Sequence, residues 1–282
     1  MNTSNKTSLY LHGTSLPEQQ RLSLLNDLLN EAELSQIQIS GGERILDVGC
    51  GLGQFTRALA RTAGPDGYVL GIEREAQQLT TAKKLAHDAG EDRLVEFRQG
   101  EALQLPLEEH ERKTFDFVHA RFLLEHLVHP QTALAEMVLA ARAGGRIMVV
   151  DDDHADMRPW PEPAGFHALW QAYIRSYDRL GNDPYIGRRL IMLLHAAGLR
   201  NLQNGIIFFG GCAGTERFQA AADNLIGVIA GARETIVTEQ LLDEQSFDAA
   251  ISGLQRWREL PDAALWYSIY WASGTTPLTP TD

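Results

Sequence analysis

Short apolar runs alternate with helical stretches between residues 44 and 152, and this alternation constrains the fold more than any other feature of the chain. The five apolar runs read RILDVG, YVLGIE, VEFRQG, FDFVHA and RIMVVDD. Strands that are separated by helices predict βαβ units, which form a parallel sheet with right-handed crossovers. We therefore expect a doubly wound α/β fold.

The pattern changes after residue 153. Three prolines precede an aromatic-rich helix predicted over 166–180, and a second helix is predicted over 185–197. Strands are predicted over 205–209 and 264–272, with a mostly helical insertion between them over 215–258. This order predicts an N-terminal helical cap segment over 1–40, a ligand-binding core over 41–153, and a helical cap with the final strands of the same sheet over 154–282.

Charge and composition narrow the range of partners. With 37 acidic and 25 basic residues the formal net charge is −12, which disfavours binding to a phosphate backbone. No apolar stretch approaches the ~20 residues that a membrane span needs. The N-terminus lacks a secretory pattern, and Cys50 and Cys212 suit free thiols, so we expect a cytoplasmic protein without nucleic acid or membrane partners.

A glycine-rich turn is the main candidate for ligand binding. Gly49, Gly51 and Gly53 directly follow an apolar strand and directly precede a helix. Such a turn lets a ligand approach the bare backbone near a helix N-terminus, whereas a merely tight turn would explain one glycine. The spacing GxGxG differs from the dinucleotide pattern GxGxxG, and Asp47 at the strand end would repel a pyrophosphate. A ligand with an ammonium group fits better.

These residues resemble a known family. ILDVGCGLGQF is similar to the first motif of class I S-adenosylmethionine-dependent methyltransferases, especially the small-molecule enzymes of the ubiquinone-biosynthesis type. The resemblance is strong over 44–151 and looser to the last strand. It implies a Rossmann-like doubly wound fold, with a mostly parallel seven-stranded sheet, an antiparallel last strand and helical cap insertions. It also implies S-adenosylmethionine as the cofactor.

The resemblance implies roles for single residues. The carboxylate of Glu73 would hold the ribose hydroxyls, and Glu101 would accept from the adenine amine. Arg74 could cover an adenine face or be a solvated charge, and Arg21 could bind the methionine carboxylate or pair with Glu18. The residues predicted to bind the cofactor are Arg21, Asp47, Gly49, Cys50, Gly51, Gly53, Glu73, Arg74, Glu101, Ala102 and Ala120.

The run Asp151-Asp152-Asp153-His154 follows the fifth strand and has three interpretations. A metal site is disfavoured because side chains alternate along a strand, so three consecutive acids do not converge, and no second acidic pair is evident at the fourth strand. A turn cap is the second interpretation. In the third, the run faces the substrate and His154 accepts a proton from it. We predict His154 as catalytic, Asp153 as substrate-binding, and no metal.

Aromatic side chains after the fifth strand form a candidate acceptor pocket. Trp170, Tyr173 and Tyr177 recur at helical spacing, a pattern that is also typical of a core. Tyr173, Tyr177 and His126 are predicted to bind substrate, although His126 lies among leucines and could equally be a buried histidine. Trp257, Trp266 and Trp271 are expected in the core, the last two within the final strand.

Together these features predict an enzyme that transfers a methyl group from S-adenosylmethionine to a small organic molecule by in-line displacement. The alternatives are methylation of a protein or peptide, and a non-catalytic S-adenosylmethionine-binding protein. A homodimer is a further possibility that the sequence leaves open.

Overall fold

The computed structural model describes residues 29–178 and 181–278. Arg21, and the start of the predicted N-terminal helix at Ser15, lie outside these residues. Residues 29–34 are helical, and Leu29 and Glu33 are buried against the body of the protein. The described part of the predicted cap segment therefore contributes side chains to the interior.

A seven-stranded sheet forms the centre of the molecule. Its strands are β1 (Arg44–Val48), β2 (Tyr68–Glu73), β3 (Val95–Gln99), β4 (Phe115–Arg121), β5 (Ala141–Asp152), β7 (Arg200–Phe208) and β10 (Ser268–Thr275). Their order in the sheet is β3-β2-β1-β4-β5-β10-β7. Strands β1 to β5 pair in parallel, whereas β10 is antiparallel to both β5 and β7. The predicted doubly wound, mostly parallel sheet with an antiparallel last strand is confirmed.

Helices cover both faces of this sheet. They are α1 (Gln54–Ala63), α2 (Ala76–Asp88), α3 (Pro130–Ala140), α4 (Phe166–Ser176), α5 (Leu190–Ala196), α6 (Glu216–Gly231), α7 (Arg233–Thr238) and α8 (Glu244–Arg258). One apolar core contains α1, α2, α4 and the last three helices, and the other contains α3 and α5. No helix in the two described ranges is both long enough and apolar enough to cross a membrane.

The cap consists of α4, α6, α7 and α8. Its helices pack through apolar side chains, for example Phe218 against Trp257, whose ring centroids lie 5.2 Å apart. A small sheet of β6 (Arg158–Trp160), β8 (Gly211–Cys212) and β9 (Ala264–Trp266) closes one side of the cap. The sequence predicts none of these short pairings, because each strand has only two or three residues.

Two predicted elements are divided in the structure. A helix expected from residue 123 begins instead at Pro130, since proline suits the first helical turn and disfavours a helical residue before it. The strand expected over 264–272 is interrupted at Tyr267, where the chain leaves the small sheet and joins the central one. As a result Trp266 is 59% exposed, contrary to its predicted place in the core.

Candidate active site

The glycine turn lies at the carboxyl end of β1, where the strand order reverses between β1 and β4. Ligands of open α/β sheets bind at such a switch point. Gly49, Gly51 and Gly53 all have positive φ angles, of 75°, 55° and 70°, which side-chain-bearing residues rarely adopt. The turn therefore strongly favours glycines, and it presents backbone to the space above β1.

Glu73, the last residue of β2, is tied to this turn. Its Oε2 accepts a hydrogen bond of 2.9 Å from the amide of Gly51, and its Oε1 accepts one of 2.8 Å from the amide of Glu75. Burial raises the pKa of the Glu73 carboxyl, although the hydrogen bonds from these amides oppose the shift. The carboxylate is thus oriented by backbone and borders the pocket described next.

The first pocket lies over the carboxyl ends of β1, β2 and β4. Its walls include eight residues that the sequence predicts as cofactor-binding: Asp47, Gly49, Cys50, Gly51, Glu73, Arg74, Glu101 and Ala102. The backbone at Gly49 approaches the far wall so closely that an added Cβ would lie 3.1 Å from Leu123 Cδ1. A bare backbone, a carboxylate at the end of β2 and polar groups beyond β3 suit the amino-acid, ribose and adenine parts of S-adenosylmethionine, so the residues present fit this cofactor.

Two predicted cofactor residues lie elsewhere. Ala120 is 1% exposed within β4, and it packs in the apolar core on the face of the sheet that α3 covers. Gly53 begins α1 outside the pocket wall, and an added Cβ there would lie 2.4 Å from Phe97 Cζ. Both positions shape the fold around the pocket instead of bordering it.

Below the pocket, Asp47 belongs to a buried polar network. His119 joins the Asp47 carboxylate at 2.8 Å and the Glu33 carboxylate at 2.6 Å, while Thr56 donates to the other Asp47 oxygen at 2.6 Å. Burial lowers the pKa of His119, but the charges of Glu33 and Asp47 outweigh it and raise the pKa to about 9. Asp47 therefore borders the pocket with both oxygens already engaged, and its predicted contact with an ammonium group remains a prediction.

Glu33 completes the network and was not predicted. Burial would raise its pKa, but Arg121 and His119 together lower it. Arg121 donates to Glu33 at 2.7 Å and to Asn30 at 3.0 Å. Glu33 is 86 residues from His119 in the sequence, so no local pattern could have linked them.

A second pocket, the acceptor pocket, lies between the end of β5 and the cap. It is lined by Phe122, Glu125, His126, Asp152, His154, Met157, Trp170, Tyr173, Tyr177, Phe209, Ala221, Asn224, Leu225, Val228, Tyr267 and Ile269. Four of these, His126, His154, Tyr173 and Tyr177, are predicted from the sequence as substrate-binding or catalytic. Phe122 and His126 border both pockets, so the two spaces meet at these side chains.

The side chains of Asp151, Asp152 and Asp153, at the end of β5, have different surroundings, as the alternation of side chains along a strand requires. Asp151 accepts a hydrogen bond of 2.9 Å from the amide of Leu124. Asp153 caps the turn at Ala155 and forms an ion pair with Arg188, so it lies outside the acceptor pocket, contrary to its predicted role in substrate binding. Only Asp152 of the three borders the pocket.

Both histidines of the acceptor pocket are buried. Burial lowers the pKa of His126 to about 4, with a smaller contribution from Arg74, and burial lowers that of His154 to about 3, with a smaller contribution from His126. Both rings are therefore neutral near pH 7. The expected titration of His154 close to 6.5 does not hold, although a neutral imidazole can still accept a hydrogen bond.

Part of this chain is similar to a known protein family. A sequence profile described as a methyltransferase domain matches residues 39–176. Residues 39–176 are thus similar to a methyltransferase domain. The resemblance inferred from the glycine motif is thereby confirmed, and S-adenosylmethionine is the cofactor of this class.

Individual relatives agree with the domain assignment. A demethylmenaquinone methyltransferase from Bacillus cytotoxicus is 30% identical over 139 residues, which are 49% of this chain and 54% of that protein. The ubiquinone/menaquinone biosynthesis C-methyltransferase UbiE from Burkholderia vietnamiensis is 28% identical over 176 residues, 59% of this chain and 65% of its own. The solved YcgJ protein from Bacillus subtilis shares the fold, with a TM-score of 0.57 and 17% identity over 89% of this chain and 98% of that one.

The chain thus spans between half and two thirds of these curated relatives. The profile match ends at residue 176. Much of the acceptor pocket comes from later residues, including Phe209, Leu225 and Tyr267. The matched part therefore contains the whole lining of the first pocket, but only half of the lining residues of the second.

Proposed function

We propose that this protein transfers a methyl group from S-adenosylmethionine to a small organic acceptor held in the acceptor pocket. The observation that carries this proposal is the junction of the two pockets at Phe122 and His126. A cofactor in the first pocket and an acceptor in the second would meet at this junction. The cofactor supplies an activated methyl group on a sulfonium sulfur.

The chain contributes positioning. The glycine turn and Glu73 would fix the cofactor at the ends of β1 and β2, and the cap would hold the acceptor so that its lone pair faces the junction. Alignment of two reactants in one site replaces a bimolecular encounter, which can supply several kcal/mol of the barrier reduction. Phe122 supports this role because its φ of 50° is rare for an aromatic residue, and such strain is concentrated at functional sites.

The acceptor pocket favours a small molecule over a peptide. Trp170, Tyr173 and Tyr177 are each at most 5% exposed, so the cap covers the pocket instead of leaving an open groove. Aromatic walls with a few polar groups are typical of small-ligand sites. The net charge of −12 argues against nucleic acid as acceptor. A cytoplasmic location and a homodimer remain predictions.

The test uses S-adenosylmethionine labelled in its methyl group, incubated with the purified protein and fractionated metabolites. We expect label in a small-molecule fraction, and loss of that transfer in Glu73→Ala but not in Glu109→Gln, which changes an exposed acid. Label in a peptide fraction would contradict the proposal. Cofactor binding without transfer to any fraction would instead favour a non-catalytic binding protein.

A further inference from the structure

Three potential metal ligands converge inside the acceptor pocket. They are Glu125, from the short helix Leu124–His126 after β4, Asp152 at the end of β5, and His154, from the short helix His154–Asp156. One carboxylate oxygen from each acid and one ring nitrogen of His154 all lie within 4.8 Å of one another. The ends of two neighbouring strands thus bring together residues that no local motif connects.

Two atoms of this cluster are buried without hydrogen-bond partners. Glu125 and His154 are each 3% exposed, and neither Glu125 Oε2 nor His154 Nε2 has a hydrogen-bond partner. The two atoms lie 3.8 Å apart, which is too far for a hydrogen bond but short enough for both to contact one ion. Leaving such groups unsatisfied is costly, so the pair indicates a ligand between them.

The other nitrogen of His154 is held by Tyr267. His154 Nδ1 lies 3.0 Å from the Tyr267 hydroxyl oxygen. When Nδ1 donates to that oxygen, Nε2 carries a lone pair and faces Glu125 Oε2, which is an acceptor when the carboxyl is ionised. A cation between the two atoms would satisfy both of them.

The ligand set favours a metal ion. Imidazole nitrogen combined with two carboxylates binds divalent Zn, Fe, Mn or Co, and a metal-bound histidine typically has its other nitrogen held by a hydrogen bond, as Tyr267 holds His154. No lysine or arginine lines the acceptor pocket among the described residues.

We infer that Glu125, Asp152 and His154 bind a divalent transition-metal ion, with open coordination positions toward the acceptor pocket. The sequence predicts no metal because Asp151, Asp152 and Asp153 diverge, but Glu125, from the short helix after β4, supplies a further ligand. Where the proposed function holds, an oxygen or nitrogen of the acceptor would occupy an open position, so the ion would orient the acceptor. His154 is then a ligand and not the proton acceptor that the sequence suggests.

Cobalt(II) provides a direct test that needs neither cofactor nor acceptor. Chelator-treated protein titrated with Co²⁺ should develop visible d–d absorption that saturates near about one equivalent and is displaced by Zn²⁺. Glu125→Gln and His154→Ala should weaken Co²⁺ binding by more than about tenfold. The matched controls Glu162→Gln and His195→Ala, both at exposed positions, should bind as wild type does.

Several outcomes would overturn the site. These are the absence of saturable absorption in the wild type, and unchanged binding in both cluster variants while circular dichroism shows that they are folded. Binding of trimethylamine that depends on Glu125, without Co²⁺ binding, would assign the cluster to an organic cation instead. The Co²⁺ titration contains no S-adenosylmethionine, so its result does not depend on methyl transfer. A protein that binds Co²⁺ but transfers no methyl group would contradict only the proposed function. A protein that transfers the methyl group but binds no Co²⁺ would contradict only the metal site.

Discussion

The Glu73 carboxylate accepts a hydrogen bond of 2.9 Å from the backbone amide of Gly51, and this contact joins the end of β2 to the glycine turn after β1. One side chain thus organises the turn and borders the pocket that would hold the cofactor. A change at Glu73 should therefore weaken cofactor binding in two ways, by removing a side chain that borders the pocket and by loosening the glycine turn.

Glu73→Ala should weaken S-adenosylmethionine binding by ~1–3 kcal/mol, the scale expected for hydrogen bonds to a charged group. Isothermal titration calorimetry on the variant and on the Glu109→Gln control measures the difference. NAD and NADP should bind to neither. A dissociation constant equal to that of the wild type, in a folded Glu73→Ala protein, would remove Glu73 from the site.

Gly53→Ala should mainly lower the stability of the fold, whereas Gly51→Ala should mainly lower the affinity for the cofactor. Both glycines have positive φ, which costs an alanine about 1–2 kcal/mol. At Gly53 the new Cβ would also meet Phe97 at 2.4 Å, whereas at Gly51 the nearest atom is a flexible Gln78 oxygen at 3.2 Å. We expect Gly53→Ala to lose roughly 2–4 kcal/mol of unfolding free energy and Gly51→Ala clearly less.

Urea unfolding measures the stabilities, and calorimetry measures cofactor affinity. Gly51→Ala should lose affinity while it stays folded, since its added methyl group enters the pocket wall. Equal destabilisation of the two variants would show that the contact with Phe97 is relieved by movement. Gly51→Val should abolish cofactor binding.

The network around His119 predicts a loss of stability in alkaline solution. The folded pKa of about 9 lies above the ordinary 6.5, so between these values the folded protein binds more protons than the unfolded chain. The contribution of His119 is fully present below pH 6.5 and is lost as the pH rises through about 9. The groups that face the ring are Glu33, Asp47 and Phe55, with Arg121 held on Glu33.

Unfolding free energy from urea titrations at pH 6 and pH 9.5 tests this. The shift corresponds to a decrease of roughly 2–3 kcal/mol, and His119→Gln should show a much smaller decrease over the same range. Stability that is constant or rises with pH in the wild-type protein would contradict the assigned charge state of His119.

Tyr173→Phe and Tyr177→Phe should impair acceptor binding while they spare the cofactor. The two hydroxyls lie 3.2 Å apart in the acceptor pocket, and each ring keeps its packing in the phenylalanine variant. We expect KM for the acceptor to rise by about three- to tenfold, the scale of one hydrogen bond. Cofactor affinity should stay within about threefold, because neither tyrosine borders the first pocket.

Steady-state transfer of the labelled methyl group measures this once the acceptor fraction is identified. Tyr68→Phe is the matched control, since its hydroxyl is bonded to Glu96 on the exposed side of the sheet. If KM for the acceptor is as little changed in the two pocket variants as in the control, the tyrosine hydroxyls do not contact the acceptor and the rings only pack in the core.

Local sequence patterns were enough to predict the central sheet and to group most of the predicted cofactor residues. Most of the parallel strands are short, mainly apolar runs, and the glycine turn and Glu73 each lie at the end of one strand. Because parallel strands carry their ends to one edge, this local information sufficed to gather eight of the predicted cofactor residues in one pocket. Ala120 and Gly53 lie outside that pocket, because Ala120 packs in the apolar core under α3 and Gly53 packs against Phe97.

The second pocket and the buried polar network depend instead on contacts between residues that are distant in the sequence. Glu33 meets His119 across 86 residues, and Glu125 meets His154 and Asp152 because β4 and β5 are neighbours with a particular register. The cap then buries these groups, which lowers the pKa of His154 to about 3. Burial and long-range pairing depend on how distant segments pack. A histidine or an acid therefore looks the same in the sequence whether it is solvated at the surface or faces a buried partner.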